Sequence, residues 1–325
     1  MLCSLARTGG AHGTGVGQTR LMAHVRLSIN LPTFGTFLGD DLHRVVELAR
    51  TCEDAGVDEV AVSDHVVMGP DVTLYPWGRF PTPPEGPWLE PLAVLSAVAG
   101  ATTRVGLHTS ILVAPLRPAA LLAKQAATLD RLSQGRLSLG VGTGWQEAEF
   151  AAVGADFATR GRLLDETIAA CRALWTRLPA AFHGELVDFD DTYCSPLPTR
   201  PEGVPVLFSG TLTPRNVRRI VTLGDGWHPI MGATPDDVAA GVSTLRRAFE
   251  DADRDPATLA VHHSTPMVRG DGGAVDPEAT FAALGPWLEA GVTTVGGGLR
   301  AWAAHPDEVA DRLAGVVAAF RAATT

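Results

Sequence analysis

The chain has 325 residues, 46% of them apolar and 19% charged, and a formal net charge of −10. That length and apolar fraction suit one large α/β domain or two smaller ones and exclude a disordered chain. The acidic balance leaves no basic excess to displace counterions from phosphates, which argues against non-specific nucleic-acid binding.

Residues 1–22 lack a long apolar h-region and precede any apolar pattern. They are expected to form a disordered extension, or to mark a start assigned too far upstream, ahead of one domain over 23–325. Val25–Asn30 then reads as a strand and Asp40–Ala55 as a helix stopped by Gly56. A strand over Val57–Val62 follows, then a helix near 90–102, a strand Val105–Thr109, a helix 118–132, a strand Leu137–Val141 and a helix over about 159–175. Beyond residue 203 the predicted strands are Val204–Phe208, Gly226–Pro229, Leu259–Ser264 and Val292–Val295, with helices from Pro214 to about Leu223, at 234–251, at 277–289 and at 306–322.

Eight strand–helix units in this order predict parallel strands and suit a (β/α)₈ barrel, with a doubly wound open sheet as the alternative. Two stretches break the rhythm. Val67–Trp88 and residues 176–203 carry recurring aromatic and apolar residues. Long insertions of that kind on a barrel serve as lids or pocket walls. The four cysteines, Cys3, Cys52, Cys171 and Cys194, lie far apart with no C-x-x-C pair. Reduced thiols in a cytoplasmic protein are expected, without zinc or disulfide framework. No apolar run is long enough for a membrane helix.

Chemistry is expected at the carboxyl ends of barrel strands. The fourth strand runs into Gly140, Gly142 and Gly144, followed by Trp145, Glu147 and Glu149. The spacing is G-x-G-x-G-W, which is not the dinucleotide pattern G-x-G-x-x-G. A tight turn or a ligand cradle both fit. Strand two ends in Ser63-Asp64-His65, readable as a capping Asp with a satisfied His or as a proton-handling pair. Strand three ends in His108-Thr109-Ser110 and strand six in Gly226-Trp227-His228. Ser209-Gly210-Thr211 precedes a helix at Pro214 and reads either as an ordinary N-cap or as a phosphate site. Asp64, Glu90, Glu147 and Glu149 could meet on the rim as paired carboxylates, which leaves a hydrolase open. Arg160, Arg162 and Glu166 read as a solvated helix face. No metal-ligand set is expected: His262 and His263 are neighbours in one strand and point to opposite faces.

The stretch RLSLGVGTGWQEAEFAAVGADFATRGRLLDE, Arg136 to Glu166, resembles the strand-four signature of the luciferase-like monooxygenase superfamily, in its branch of deazaflavin (coenzyme F420)-dependent oxidoreductases common in actinobacteria. Ser63–His65, Thr109–Arg136 and Pro205–Pro229 resemble further pieces of that family in the same order. The resemblance implies a (β/α)₈ barrel with the cofactor ring across its mouth, bordered by Asp64 and His65. It implies a bulge at Ser110–Ile111 with a non-prolyl cis peptide, flanked by Thr109. Gly142, Thr143, Gly144 and Trp145 would contact the ring or ribityl chain, and Ser209, Gly210 and Thr211 the phosphate. The family often has G-G-x at this last loop, where this chain has S-G-T-L-T.

On that resemblance the expected activity is hydride transfer between F420 and a small organic substrate, with a homodimer implied. His65 is the expected proton-handling group, Asp64 its orienting partner and Glu147 a further candidate. Tyr75, Trp77 and Trp88 either wall the substrate pocket or pack the loop. The alternatives are an FMN-dependent monooxygenase using oxygen, and a non-catalytic flavin-binding barrel.

Overall fold

The computed structural model describes residues 25–264 and 266–325. The extension expected over 1–22 lies outside the described residues. Ten strands occur among them. They are β1 (Arg26–Asn30), β2 (Glu59–Val62), β3 (Gly106–Val113), β4 (Leu137–Gly142), β5 (Ala180–His183), β6 (Asp188–Thr192), β7 (Val206–Ser209), β8 (Gly226–His228), β9 (Ala260–Ser264) and β10 (Thr294–Gly298).

Eight of these close a parallel barrel in the order β1-β10-β9-β8-β7-β4-β3-β2. Closure removes the sheet edges and brings every strand's carboxyl end to one face. All eight barrel strands lie where the apolar runs predict them, within two or three residues at the ends, except that β3 continues through Val113. β5 and β6 pair antiparallel as a hairpin inside the 176–203 insertion. It leans on the helix Arg160–Thr176, where Glu166 Oε2 accepts the N–H groups of Leu186 and Val187 at 2.7 and 3.0 Å.

The helices pack an apolar layer outside the barrel. Leu48, Ala49 and Cys52 of the helix Arg44–Ala55, and Leu164, Ile168, Cys171 and Trp175 of the helix Arg160–Thr176, are buried. Burying each large side chain contributes about 1.5–3 kcal/mol. Gly56 ends the first of these helices at φ +89°, a left-handed conformation that suits glycine. The helix expected at 277–289 divides into Pro277–Ala282 and Gly285–Glu289. Pro286 causes the break, because it has no N–H and its ring clashes with a carbonyl four residues back. No described helix is long and apolar enough to cross a membrane.

The barrel interior is polar. Ser28, Glu59, His108, His228 and His262 are buried there, against the branched apolar filling usual in such barrels.

Candidate active site

The tripeptide after β2 is held in two directions. The Asp64 carboxylate receives both arms of the Arg117 fork, at 2.7 and 2.9 Å, and the Val113 N–H at 2.8 Å. Arg117 also reaches Glu90 Oε1 at 2.7 Å. Burial raises the Asp64 pKa against the opposing pull of Arg117 and Val113. This carboxylate pins the end of β2 to the end of β3. Its side chain does not orient His65, as the sequence suggests, because all its hydrogen bonds face Arg117 and β3.

The partner of His65 is Glu149. His65 Nδ1 lies 3.1 Å from Glu149 Oε2, and Glu149 Oε1 accepts the Val66 N–H at 2.6 Å. Glu149 is fully buried. The helix Glu147–Val153 explains why Glu149, and not Glu147, is the site carboxylate: Glu147 starts the helix and is exposed, while Glu149 faces inward. A carboxylate oxygen accepts, so Nδ1 donates and Nε2 is the ring's free acceptor.

Aromatic rings enclose that imidazole. Trp88, Phe80 and Trp145 meet His65 edge-on with centroids at 4.6, 5.6 and 5.9 Å. Tyr75 packs edge-on against Trp77, Phe80 and Trp145 at 5.1–5.4 Å. Burial raises the Tyr75 pKa, which keeps the phenol a donor. Phe34 stacks on Trp88 at 4.2 Å. Tyr75, Trp77 and Trp88 belong to one packed cluster with Phe80 as its hub, and Trp77 stays 45% exposed. A cavity of about 180 Å³ opens beside it, bounded by His65, Val66, Met68, Thr82 and Trp88 among others.

Next to it, β3 carries the bulge that the family resemblance implies. Its register against β4 shifts between Thr109 and Leu112, and the Ser110–Ile111 peptide is cis. Ser110 and Ile111 are half-buried at the mouth. Thr109 is fully buried and its hydroxyl donates to Gly140 O at 2.9 Å, so its side chain serves the barrel wall instead of a ligand.

The glycines of β4 answer to these neighbours. A Cβ on Gly140 would lie 2.3 Å from Thr109 O, one on Gly142 would lie 3.0 Å from Ile111 Cγ2, and one on Gly144 would lie 2.6 Å from Val113 Cγ1. Gly144 also has φ +75°. The room they leave is filled by the protein's own third strand.

At the end of β7, Asn216 Nδ2 donates to Ser209 O and Thr211 O at 3.4 and 3.1 Å, and Trp227 Nε1 donates to Gly210 O at 2.8 Å. Gly210 has φ +113°. These bonds occupy the carbonyls of Ser209–Thr211. Beside them lies a cavity of about 490 Å³ lined by Thr143, Thr159, Arg160, Gly161, Arg162 and Arg215. Arg162 pairs with Glu185, and Arg215 pairs with Asp165 at 2.7 Å. Arg160 stacks on the Phe157 ring at 3.8 Å, and its Nε is buried without a partner. The helix start read as a solvated face is thus a cationic cavity wall. The donors fit an anionic tail of the kind that F420 and FMN both carry.

Sequence reasoning also missed a meeting of His108, His228 and His262 within the barrel, where ring nitrogens of all three lie within 4.8 Å of one another. His262 and His263 do face opposite ways, since His263 packs on Trp287 at 4.2 Å. Inward parity on three separate strands was the available signal. Which strands adjoin, and in what register, was not.

Comparison with known proteins agrees with the barrel fold. The family model described as luciferase-like monooxygenase matches residues 20–275. The chain belongs to that family of oxidoreductases and monooxygenases. It is 34% identical over 231 residues to an uncharacterized protein of Mycobacterium tuberculosis, covering 70% of this chain and 74% of that one. An F420-dependent glucose-6-phosphate dehydrogenase of Amycolatopsis mediterranei is 32% identical over 222 residues, 65% of this chain and 62% of the relative. An FMNH(2)-dependent dimethylsulfone monooxygenase of Pseudomonas putida is 32% identical over 161 residues, 48% of this chain and 43% of the relative. Among solved structures, an F420-dependent secondary alcohol dehydrogenase in complex with an F420-acetone adduct superposes with a TM-score of 0.73 at 19% identity, covering 91% and 99% of the two chains. At that identity the likeness carries the fold.

Proposed function

We propose that this chain is an F420-dependent oxidoreductase that transfers a hydride between the deazaflavin and a small organic substrate, with His65 moving the accompanying proton. The observation that carries the reading is the His65–Glu149 pair, set in an aromatic enclosure at the carboxyl end of the barrel. The Amycolatopsis relative, similar over 65% of this chain, supports the deazaflavin.

When bound, F420 supplies a hydride-bearing ring carbon and does not readily activate oxygen. The chain's own residues do the rest. Glu149 fixes the His65 tautomer so that Nε2 takes or returns the substrate proton. Trp88, Phe80, Trp145 and Tyr75 exclude water around that nitrogen. Asp64 and Arg117 hold the backbone from which His65 projects. Arg160, Arg162 and Arg215 draw an anionic tail toward Thr143 and Ser209–Thr211. The resemblance's homodimer is part of this proposal and is open to sedimentation analysis, as is its cytoplasmic setting to fractionation.

An FMN-dependent monooxygenase is the second reading, favoured by the Pseudomonas relative and by the S-G-T-L-T sequence at 209–213. Parallel titrations with oxidised F420 and with FMN, followed by tryptophan fluorescence, separate the two. Tighter binding of F420 is expected. Tighter binding of FMN, with oxygen uptake by the reduced form, reverses the assignment, and no binding of either removes both.

A further inference from the structure

The polar interior of the barrel calls for an explanation that the mouth does not supply. His108 of β3, His228 of β8 and His262 of β9 reach inward from strands that are not all neighbours. Their ring centroids lie 5.0, 4.9 and 4.3 Å apart. His108 Nε2 and His228 Nε2 are 2.8 Å apart, and His108 Nδ1 faces Ser138 Oγ at 2.8 Å. Glu59 of β2 lies beside the group, with Oε1 3.2 Å from His262 Nε2.

Two of these atoms lack a proper partner. Glu59 is 3% and His262 5% exposed. Despite their closeness, neither Glu59 Oε1 nor His262 Nε2 makes a hydrogen bond of acceptable geometry. Ser28 Oγ, in register with Glu59 on the adjacent strand, is buried and unpaired as well. Buried polar atoms without a well-formed hydrogen bond are rare, and here Ser28 Oγ adjoins the strained 3.2 Å contact between Glu59 and His262.

Glycines let the three rings sit this close to the wall: a Cβ on Gly140 would lie 2.8 Å from His108 Nε2 and 3.0 Å from His228 Nε2, and one on Gly296 would lie 3.0 Å from His262 Cε1.

We infer that His108, His228 and His262 form a site for a divalent transition metal, Zn²⁺ by ligand chemistry, in the barrel interior beneath the mouth, with Glu59 beside His262. Three imidazoles make the protein ligand set of a zinc site whose fourth position a water oxygen completes. Ring nitrogens about 2.0–2.1 Å from a tetrahedral ion stand about 3.4 Å apart, so the His108–His228 pair opens by about half an ångström on loading. Arg26, whose Nη1 lies 3.2 Å from Glu59 Oε2, holds the other carboxylate oxygen at the amino end of the barrel.

The test is a Co²⁺ titration of the full chain after dialysis against a chelator, with X-ray absorption on the zinc-loaded wild type. The expected result is one tightly held equivalent, visible d–d bands of a four-coordinate site, and a shell of three imidazoles and one oxygen. His262→Ala weakens binding by about 100-fold or more and Glu59→Gln by about 10- to 100-fold. His183→Ala leaves it unchanged; that exposed imidazole sits between Asp188 and Asp190 and is the competing surface site. Absence of stoichiometric binding at micromolar Co²⁺ overturns the inference. So does a shell with fewer than three imidazoles or with thiolate sulfur, or sensitivity to His183→Ala in place of His262→Ala. The wild-type spectrum decides the matter even where a variant fails to fold.

Discussion

His65 Nδ1 and Glu149 Oε2 meet at 3.1 Å across 84 residues of chain, joining the end of the second barrel strand to the short helix after the fourth. The same carboxylate holds the Val66 N–H. Glu149→Ala therefore leaves a backbone donor unpaired and is expected to cost about 2–4 kcal/mol in urea unfolding. Glu149→Gln retains part of that stability but frees the imidazole to take the wrong tautomer. His65→Ala is expected to bind F420 within a few-fold of wild type and to lower turnover by about 10²–10⁴-fold. Full turnover in that variant would remove His65 from the mechanism while leaving the binding site intact.

Arg117 is expected to matter for stability more than its single charge suggests. It is buried and grips Asp64 with two parallel bonds while reaching Glu90 with a third. Arg117→Ala strands a buried carboxylate and should cost about 3–5 kcal/mol, and Arg117→Lys should recover little because an ammonium cannot reproduce the fork. The midpoint and slope of urea unfolding measure both. A loss of about 1 kcal/mol or less for the alanine variant, the scale of a surface ion pair, would show that Asp64 is not anchored by Arg117.

Gly144 and Gly154 share φ +75° but differ in surroundings. A Cβ on Gly144 meets Val113 Cγ1 at 2.6 Å, whereas one on Gly154 meets nothing within 4 Å. Gly154→Ala should cost about 1–2 kcal/mol for the backbone conformation alone. Gly144→Ala should exceed it by a further 1–3 kcal/mol or so of steric displacement. Thermal unfolding of the pair separates conformation from crowding.

The cavity arginines predict a salt-dependent contribution to cofactor binding. Arg160→Ala and Arg215→Ala should each weaken the favoured cofactor by about tenfold at low salt and by less at high salt. Riboflavin, which has the ring and ribityl chain without the phosphate, should bind all three proteins alike. Equal losses for riboflavin would move the effect from the anionic tail to the ring.

Glu53 gives a pH-dependent prediction away from the site. Its Oε2 accepts the N–H groups of Thr103, Arg104 and Val105 at 3.0, 2.6 and 2.8 Å. Slight burial raises its pKa, but those three bonds and the Arg104 charge outweigh it and the net shift is downward. The unfolded chain then binds the proton more readily, so stability rises with pH in this range. The increment is present above the ordinary carboxylate value of 4.5 and lost as pH falls below it. Allowing for solvent screening, Glu53→Gln should cost about 1–2 kcal/mol at pH 7 and flatten the acid limb of the stability curve.

The barrel was legible because its strands are short apolar runs between amphipathic helices, a local pattern. His65 was legible too, as an unusual residue at a strand end. What escaped depends on which residues face each other. Glu147 and Glu149 differ by two positions on a helix whose start the chain does not announce, and only the helix phase sends Glu149 inward. Phe80 sits in a Pro-rich loop without periodicity, and its place among four other rings is a property of the folded loop. Arg160 and Arg162 look like any charged helix start until the Arg215 helix is brought alongside. The three inward histidines lie on strands far apart in the chain, and barrel closure and register alone bring them together.

The contacts between β3 and β4 restrict how this barrel can change over generations. Gly140, Gly142 and Gly144 are each matched by an atom of β3 or its bulge, namely Thr109 O, Ile111 Cγ2 and Val113 Cγ1. A Cβ at Gly142 needs the Ile111 methyl to give by a few tenths of an ångström, whereas one at Gly140 meets the Thr109 carbonyl of the backbone itself, so the seam yields at its outer end before its inner one.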